Sequence, residues 1–174
     1  MSITQRAVSE ISASISISNM SEHDLLEVVE IEEHSGLSRW GWAAYYAELQ
    51  CSNRNLLLVA RVTRPLEQHK TDNLAGYIVA RLSAGELHIN NVAVRDEYRR
   101  RGIGTALVNR ILEEGRRSHA STAFLEVRAG NSAAQALYER CCFVVFARRR
   151  NYYADPAEDA LLMSAPLYPL NQDA

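Results

Sequence analysis

The chain has 174 residues, 47% of them apolar and 23% charged, with a net charge of −2. That length is most simply one domain with its own core, and the near-neutral balance excludes whole-molecule attraction to nucleic acid or an anionic membrane. Three cysteines (Cys51, Cys141, Cys142) make no CxxC or Cys/His set with zinc spacing, and no apolar run has signal-peptide or membrane-span length. No metal is therefore expected, and the sequence reads as a soluble cytoplasmic protein with reduced thiols.

Residues 1–12 are polar and without period, and are expected to be loose, leaving a single domain over 13–168 and a short tail over 169–174. Ile11 to Ile17 alternates apolar residues with serine, as a half-buried strand does. Ser21 followed by Asp24 signals a helix start before LLEVVEIEEH, and Gly36 closes that helix. Trp40-Gly41-Trp42 opens a second helix through Leu49. Leu56 to Val62 is a predicted strand, with Arg64-Pro65 and the polar tract through Asn73 as its turn. Leu74 to Leu82, a turn at Ala84-Gly85, and Leu87 to Val94 complete a predicted antiparallel meander. The pattern then changes. Ile103, Ala106, Leu107 and Ile111 recur at helical spacing across Gly102 to Arg117, with Arg110, Glu113 and Glu114 opposite. Phe124 to Val127 reads as strand, Ser132 to Arg140 as helix, and Phe143 to Phe146 and Leu161 to Leu167 as strands. A meander followed by strand–helix–strand–helix–strand is a mixed α/β sheet.

Arg99-Arg100-Arg101-Gly102-Ile103-Gly104-Thr105 stands where a strand has ended and a helix begins. A helix start leaves several backbone N–H groups without partners and carries roughly half a positive charge. Gly102 and Gly104 bring no side chains, so a phosphate can approach those amides closely. A Walker loop would need a Gly-Lys-Ser/Thr ending, which is absent, and the dinucleotide fingerprint would need a third glycine where Leu107 stands. A glycine turn beside a solvated arginine run is the alternative.

Arg99-x-x-Gly102-x-Gly104, preceded by Asn91-Val92-Ala93-Val94 and followed by an amphipathic helix, resembles the coenzyme-A loop of the GNAT acetyltransferases. The resemblance continues through Leu125-Glu126-Val127-Arg128, Asn131, Ala136-Leu137-Tyr138-Glu139, Arg149-Arg150-Asn151-Tyr152-Tyr153 and Glu158-Asp159-Ala160. Those later segments are similar to the bacterial members that acetylate a ribosomal-protein alanine. The resemblance implies a mostly antiparallel mixed sheet, splayed at the cofactor site and flanked by about four helices. It also implies acetyl-CoA with its pyrophosphate on the amides of Arg99, Arg100, Arg101, Gly102, Ile103, Gly104 and Thr105. The pantetheine is expected along Val92, Ala93 and Val94, and Asn131 is expected to make a polar contact with the same cofactor.

Glu126 is a single carboxylate in the apolar run Ala123 to Val127. Partial desolvation there would make it a usable base near neutral pH, whereas an ion pair with neighbouring Arg128, or an outward-facing side chain on a strand end, would make it structural. Tyr138 ends a helical run, where buried packing is the usual explanation. The resemblance gives Glu126 the role of base toward the acceptor amine and Tyr138 that of acid toward the departing thiolate. The oxyanion is then expected on a backbone N–H of the Val92–Val94 edge. Deprotonating an α-amine at pH 7 costs about 1 kcal/mol, against about 4.6 kcal/mol for lysine. One modest glutamate suffices for the first, which is compatible with an N-terminal alanine acceptor.

Trp40 and Trp42 fall where the family places one wall of the peptide groove, and Tyr152 and Tyr153, beside Arg148–Arg150, at the other. Packing would account for the tryptophans, a solvated strand end for the arginines, and a surface position for His34. Ser-Gly-Leu-Ser-Arg replaces the family's Phe-Pro approach to the tryptophan. Cys142 replaces a glycine; if that position is left-handed, cysteine costs about 1 kcal/mol there. The expected activity is N-terminal acetylation of a small-subunit ribosomal protein, with the chain a monomer or weak dimer that binds neither membrane nor nucleic acid directly. The alternatives are the same chemistry on a lysine, small amine or antibiotic, a non-catalytic acyl-CoA sensor, and a ribosome- or RNA-binding protein using Arg148–Arg150.

Overall fold

A computed structural model describes residues 15–36, 39–51, 54–62 and 74–167. The expected loose start, the turn through Asn73 and the tail lie outside the described residues. Strand β1 is Ile15–Asn19, two residues further on than the serine alternation suggested where the two overlap. The helix-start signal holds: Asp24 Oδ2 accepts from the Ser21 backbone N–H at 2.7 Å and from its hydroxyl at 3.0 Å. A single 3-10 turn, Glu22–Asp24, then leads into α1, Leu25–His34. Helix α2 is Gly41–Gln50, and strands β2, β3 and β4 are Asn55–Val62, Leu74–Ser83 and Glu86–Val94. A 3-10 turn at Asp96–Tyr98 precedes α3, Ile103–Arg117. Strand β5 is Thr122–Arg128, α4 is Ser132–Arg140, β6 is Val144–Ala154 and β7 is Ala157–Pro166.

Among the described residues the seven strands stand in the order β1-β2-β3-β4-β5-β7-β6. β1 runs antiparallel to β2 from Ile15↔Val62 to Asn19↔Leu58. β4 and β5 are parallel from Glu86↔Thr122 to Ile89↔Leu125, and both run on past that last pair. β5 and β6 each pair antiparallel with β7. The chain divides into two compact units, Met1–Val79 with Asn91–Leu107, and Ala80–Asn90 with Val108–Ala174.

The first unit packs Leu25, Val28 and Ile31 of α1 and Tyr45 of α2 with Val59, Leu74, Tyr77 and Ala93. Gly76 lets β3 and β4 close up, because a Cβ there would lie 2.6 Å from the Ala93 carbonyl oxygen. In the second unit Val108, Ile111 and Leu112 of α3 are buried, as are Leu87, Ala123, Leu125 and Met163. β6 departs from its predicted extent: it runs eight residues past Phe146, so Arg148–Arg150, Tyr152 and Tyr153 are strand residues. Almost every side chain of this edge strand is exposed, and it therefore lacks the alternation from which strands are read. Among the described residues no helix is long and apolar enough to cross a membrane.

Candidate active site

The turn expected to cradle an anion lies in the first unit. Arg95 ends β4 firmly, its backbone N–H donating to Ala75 O and its Nε to Leu74 O, both at 2.9 Å. Arg99 folds back, with Nε on Val94 O at 3.1 Å and Nη2 on Asp96 at 2.8 Å, while Arg101 lies 5.7 Å from the Tyr98 ring centre. Arg100 and Gly102 both take left-handed backbone, at φ +62° and +81°. Space around a Cβ at Gly102 is open. The intrahelical ladder begins with Ala106 N donating to Gly102 O at 2.9 Å, so the amides of Ile103, Gly104 and Thr105 precede it. Val92 and Val94 are half-buried and Ala93 is buried.

A buried network that the sequence reading missed lies in the same unit. Glu32, 1% exposed, accepts the Trp40 N–H at 2.9 Å, the Gly41 N–H at 3.0 Å and the Tyr45 hydroxyl at 2.6 Å. A carboxylate thus caps the start of α2 from α1, where the helix dipole favours negative charge. The Tyr45 oxygen also meets the Tyr77 hydroxyl and Asn91 Nδ2, each at 2.8 Å. Burial first, then Tyr77 and Glu32, push the Tyr45 phenol far above its ordinary range, so it stays a proton donor. Trp40 rests against Tyr45 at 5.5 Å, and Trp42 is exposed and stacked on Tyr46 at 4.8 Å.

In the second unit Glu126 does not sit in an apolar setting. Its side chain is 32% exposed, and Oε1 accepts from Arg149 Nη1 at 2.5 Å. The apolar run does not enclose the carboxylate, because in a strand the flanking Leu125 and Val127 point to the opposite face. The competing Arg128 pair is absent too, because Arg128 engages Glu158 at 3.2 Å and lies 4.1 Å from the Tyr153 ring centre. Arg149 also covers Tyr152 at 5.4 Å, and Tyr152 and Tyr153 pack edge to face at 5.2 Å. A hydrogen bond to Glu126 is the main cause holding the Tyr152 phenol above its ordinary range. Arg148 pairs with Asp159 at 2.7 Å, and Asp159 also accepts the Asn151 N–H at 2.8 Å. That backbone bond and Arg148 keep its carboxyl below the usual range.

Tyr138 is 8% exposed, and its ring meets Phe143 edge to face at 5.9 Å. Burial pushes its phenol well up, with lesser contributions from Tyr153 and Cys141, so the group keeps its proton. The end of α4 fixes its place. Phe143 N donates to Tyr138 O and Cys142 N to Glu139 O, both at 3.0 Å, which is the Schellman arrangement. Its left-handed residue is Cys142 at φ +66°, the conformation expected of the family's glycine. Cys142 is exposed. Cys142→Gly should therefore stabilise the chain by about 1 kcal/mol. A thermal melt should show Tm higher by about 2–4 °C; an unchanged or lower Tm would contradict the strain.

Of the remaining predicted residues, Asn131 is the N-cap of α4, its Oδ1 accepting the Ala134 N–H at 3.0 Å. His34 is exposed, and its Nδ1 lies 2.8 Å from Glu30 O. Among the described residues no group of three or more His, Cys, Asp or Glu side chains could hold a metal ion. Glu32 did leave a sequence signal: it falls seven residues after Leu25, on the buried stripe of α1.

The sequence model of the family described as Acetyltransferase (GNAT) matches residues 25–143. The [ribosomal protein bS18]-alanine N-acetyltransferase of Salmonella typhimurium is 32% identical over 153 residues, covering 87% of this chain and 97% of that one. The crystal structure of the ribosomal-protein-S18-alanine N-acetyltransferase from Escherichia coli superposes with TM-score 0.76 at 28% identity, over 92% of this chain and 98% of that one. Arabidopsis thaliana NAA60 in complex with acetyl-CoA shares the fold, with TM-score 0.78 at 20% identity, over 88% and 99% of the two chains.

Proposed function

The chain belongs to the GNAT acetyltransferase family, and from that premise we propose that it is an acetyl-CoA-dependent N-acetyltransferase acting on the N-terminal amine of a protein, an alanine of a small-subunit ribosomal protein. Relatives named for that reaction match along most of both chains. The observation that carries the reading is the turn at Arg100–Gly102, two left-handed residues with open space that lead into amides lying ahead of the α3 ladder. Such a turn fits a diphosphate, with Gly102, Ile103, Gly104 and Thr105 as main-chain donors and Arg99, Arg100 and Arg101 as flanking charge. Val92, Ala93 and Val94 present main chain to the rest of the cofactor, and Asn131 presents its carboxamide.

When bound, acetyl-CoA supplies an acetyl group activated as a thioester. A protonated amine is not a nucleophile, and Glu126 accepts its proton, directly or through water. For this the carboxylate exchanges its Arg149 partner for the incoming ammonium, one cation for another. The main chain of Val92–Val94 offers an N–H toward developing negative charge on oxygen. Tyr138, kept neutral by burial, holds a proton for the departing thiolate. Trp40, Trp42, Tyr152 and Tyr153 provide aromatic surface for the first acceptor residues.

Peptides beginning with Ala, Ser or Met, and one bearing an internal Lys, separate the readings when incubated with acetyl-CoA and followed by mass spectrometry. The alanine peptide should gain one acetyl group on its α-amine fastest. Acetylation of the lysine alone would sink the N-terminal reading. Cofactor binding by calorimetry without any turnover would leave an acyl-CoA sensor.

A further inference from the structure

The polarity of the Glu32 network settles how Asn91 is turned. Glu32 already accepts a main-chain N–H on each of its oxygens, and it takes the Tyr45 hydroxyl as a third donor. Tyr45 must therefore donate its hydroxyl hydrogen to Glu32, which leaves its oxygen to accept from both Tyr77 and Asn91. Asn91 can satisfy that demand only with its NH2 group. The carboxamide oxygen consequently faces away from the network, and among the described residues it has no donor although Asn91 is only 5% exposed. A buried acceptor without a partner is costly and uncommon in a folded chain.

We propose that Asn91 is an acceptor-binding residue whose Oδ1 takes an N–H of the substrate's primary amine. Glu32 and Tyr45 act as positioning residues that hold the carboxamide in this one orientation. The inference rests on the N-terminal acetyltransferase reading above. Of the two reactants, the thioester presents an oxygen to the strand that follows Asn91, whereas the amine arrives with N–H groups to place. A carboxamide oxygen suits that task because it cannot itself become protonated near neutral pH and holds amine and ammonium alike. The residue also stands directly before Val92–Val94, so one short stretch of β4 serves both reactants.

Asn91→Leu tests this, because it keeps the side chain's size and removes both polar ends. The KM for an alanine peptide should rise about tenfold, the loss of one hydrogen bond, while acetyl-CoA affinity by calorimetry stays at the parent value. A resident water, with no role for substrate, predicts an unchanged KM and would overturn the proposal. A second measurement needs no variant. In the parent chain saturated with CoA, the 13C resonance of the Asn91 carboxamide should shift on adding the alanine peptide. No shift would overturn the proposal even if Asn91→Leu fails to fold. If the parent acetylates no peptide, the functional reading itself falls; if it acetylates the peptide and the KM is insensitive to Asn91→Leu, only the present inference does.

Discussion

Glu126→Gln is expected to lower the turnover of N-terminal acetylation at least 100-fold, the usual contribution of a positioned base. The amide keeps the shape of the side chain but cannot take a proton from the amine. Stability should barely change, because the Arg149 pair is exposed and such pairs contribute at most about 1 kcal/mol. Acetyl-CoA affinity should also stay at the parent value, since the phosphate donors proposed above belong to the Arg99–Thr105 turn. Gly104→Val should do the reverse, weakening acetyl-CoA at least tenfold by crowding the amides at the start of α3. Steady-state rates at saturating cofactor, with calorimetric affinities beside them, read both effects. Parent-like rates in both variants would remove the assignment of base and cradle together.

Glu32→Ala should cause a large loss of stability in the first unit. Three donors would lose their acceptor: the Trp40 and Gly41 N–H groups and the Tyr45 hydroxyl. Each buried orphan costs about 1–3 kcal/mol. Relaxation will soften the sum, yet about 3 kcal/mol or more should remain, seen as a fall in Tm of at least ~6 °C. Glu33→Ala, one residue further along the same helix and exposed, is the control and should stay within ~0.5 kcal/mol. Equal melting temperatures for the two variants would show that the cap of α2 does not depend on Glu32.

Elements with a strong local signature were legible in the sequence. The Ser21–Asp24 start, the limits of α4 and the Ala84-Gly85 turn follow from capping, helical period and backbone freedom, all encoded within a few residues. The left-handed turn at Cys142 was legible as a misplaced residue, because a helix end of this form asks for glycine. What could not be read depended on partners distant in sequence. Glu126 looked embedded because its neighbours are apolar, but only their common face determines what the carboxylate meets, and that partner is Arg149, 23 residues away. β6 was underestimated because a strand exposed on both faces carries no alternating code. Glu32 stood on the buried stripe of its helix in plain view, yet its meaning required Tyr45, Tyr77 and Asn91 to arrive beside it.

The reach of that last cluster bears on how the polypeptide matures during synthesis. Its four side chains come from four separate elements, and Asn91 is made 59 residues after Glu32, a separation far longer than any local folding step. While translation is under way, the acid and the helix it anchors leave the ribosome before the strand that completes their surroundings. The bonds from Glu32 to the start of α2 can form early, but the cluster is complete only once β4 has followed it out, and a nascent chain stalled short of that point would present an unfinished interior to chaperones and proteases.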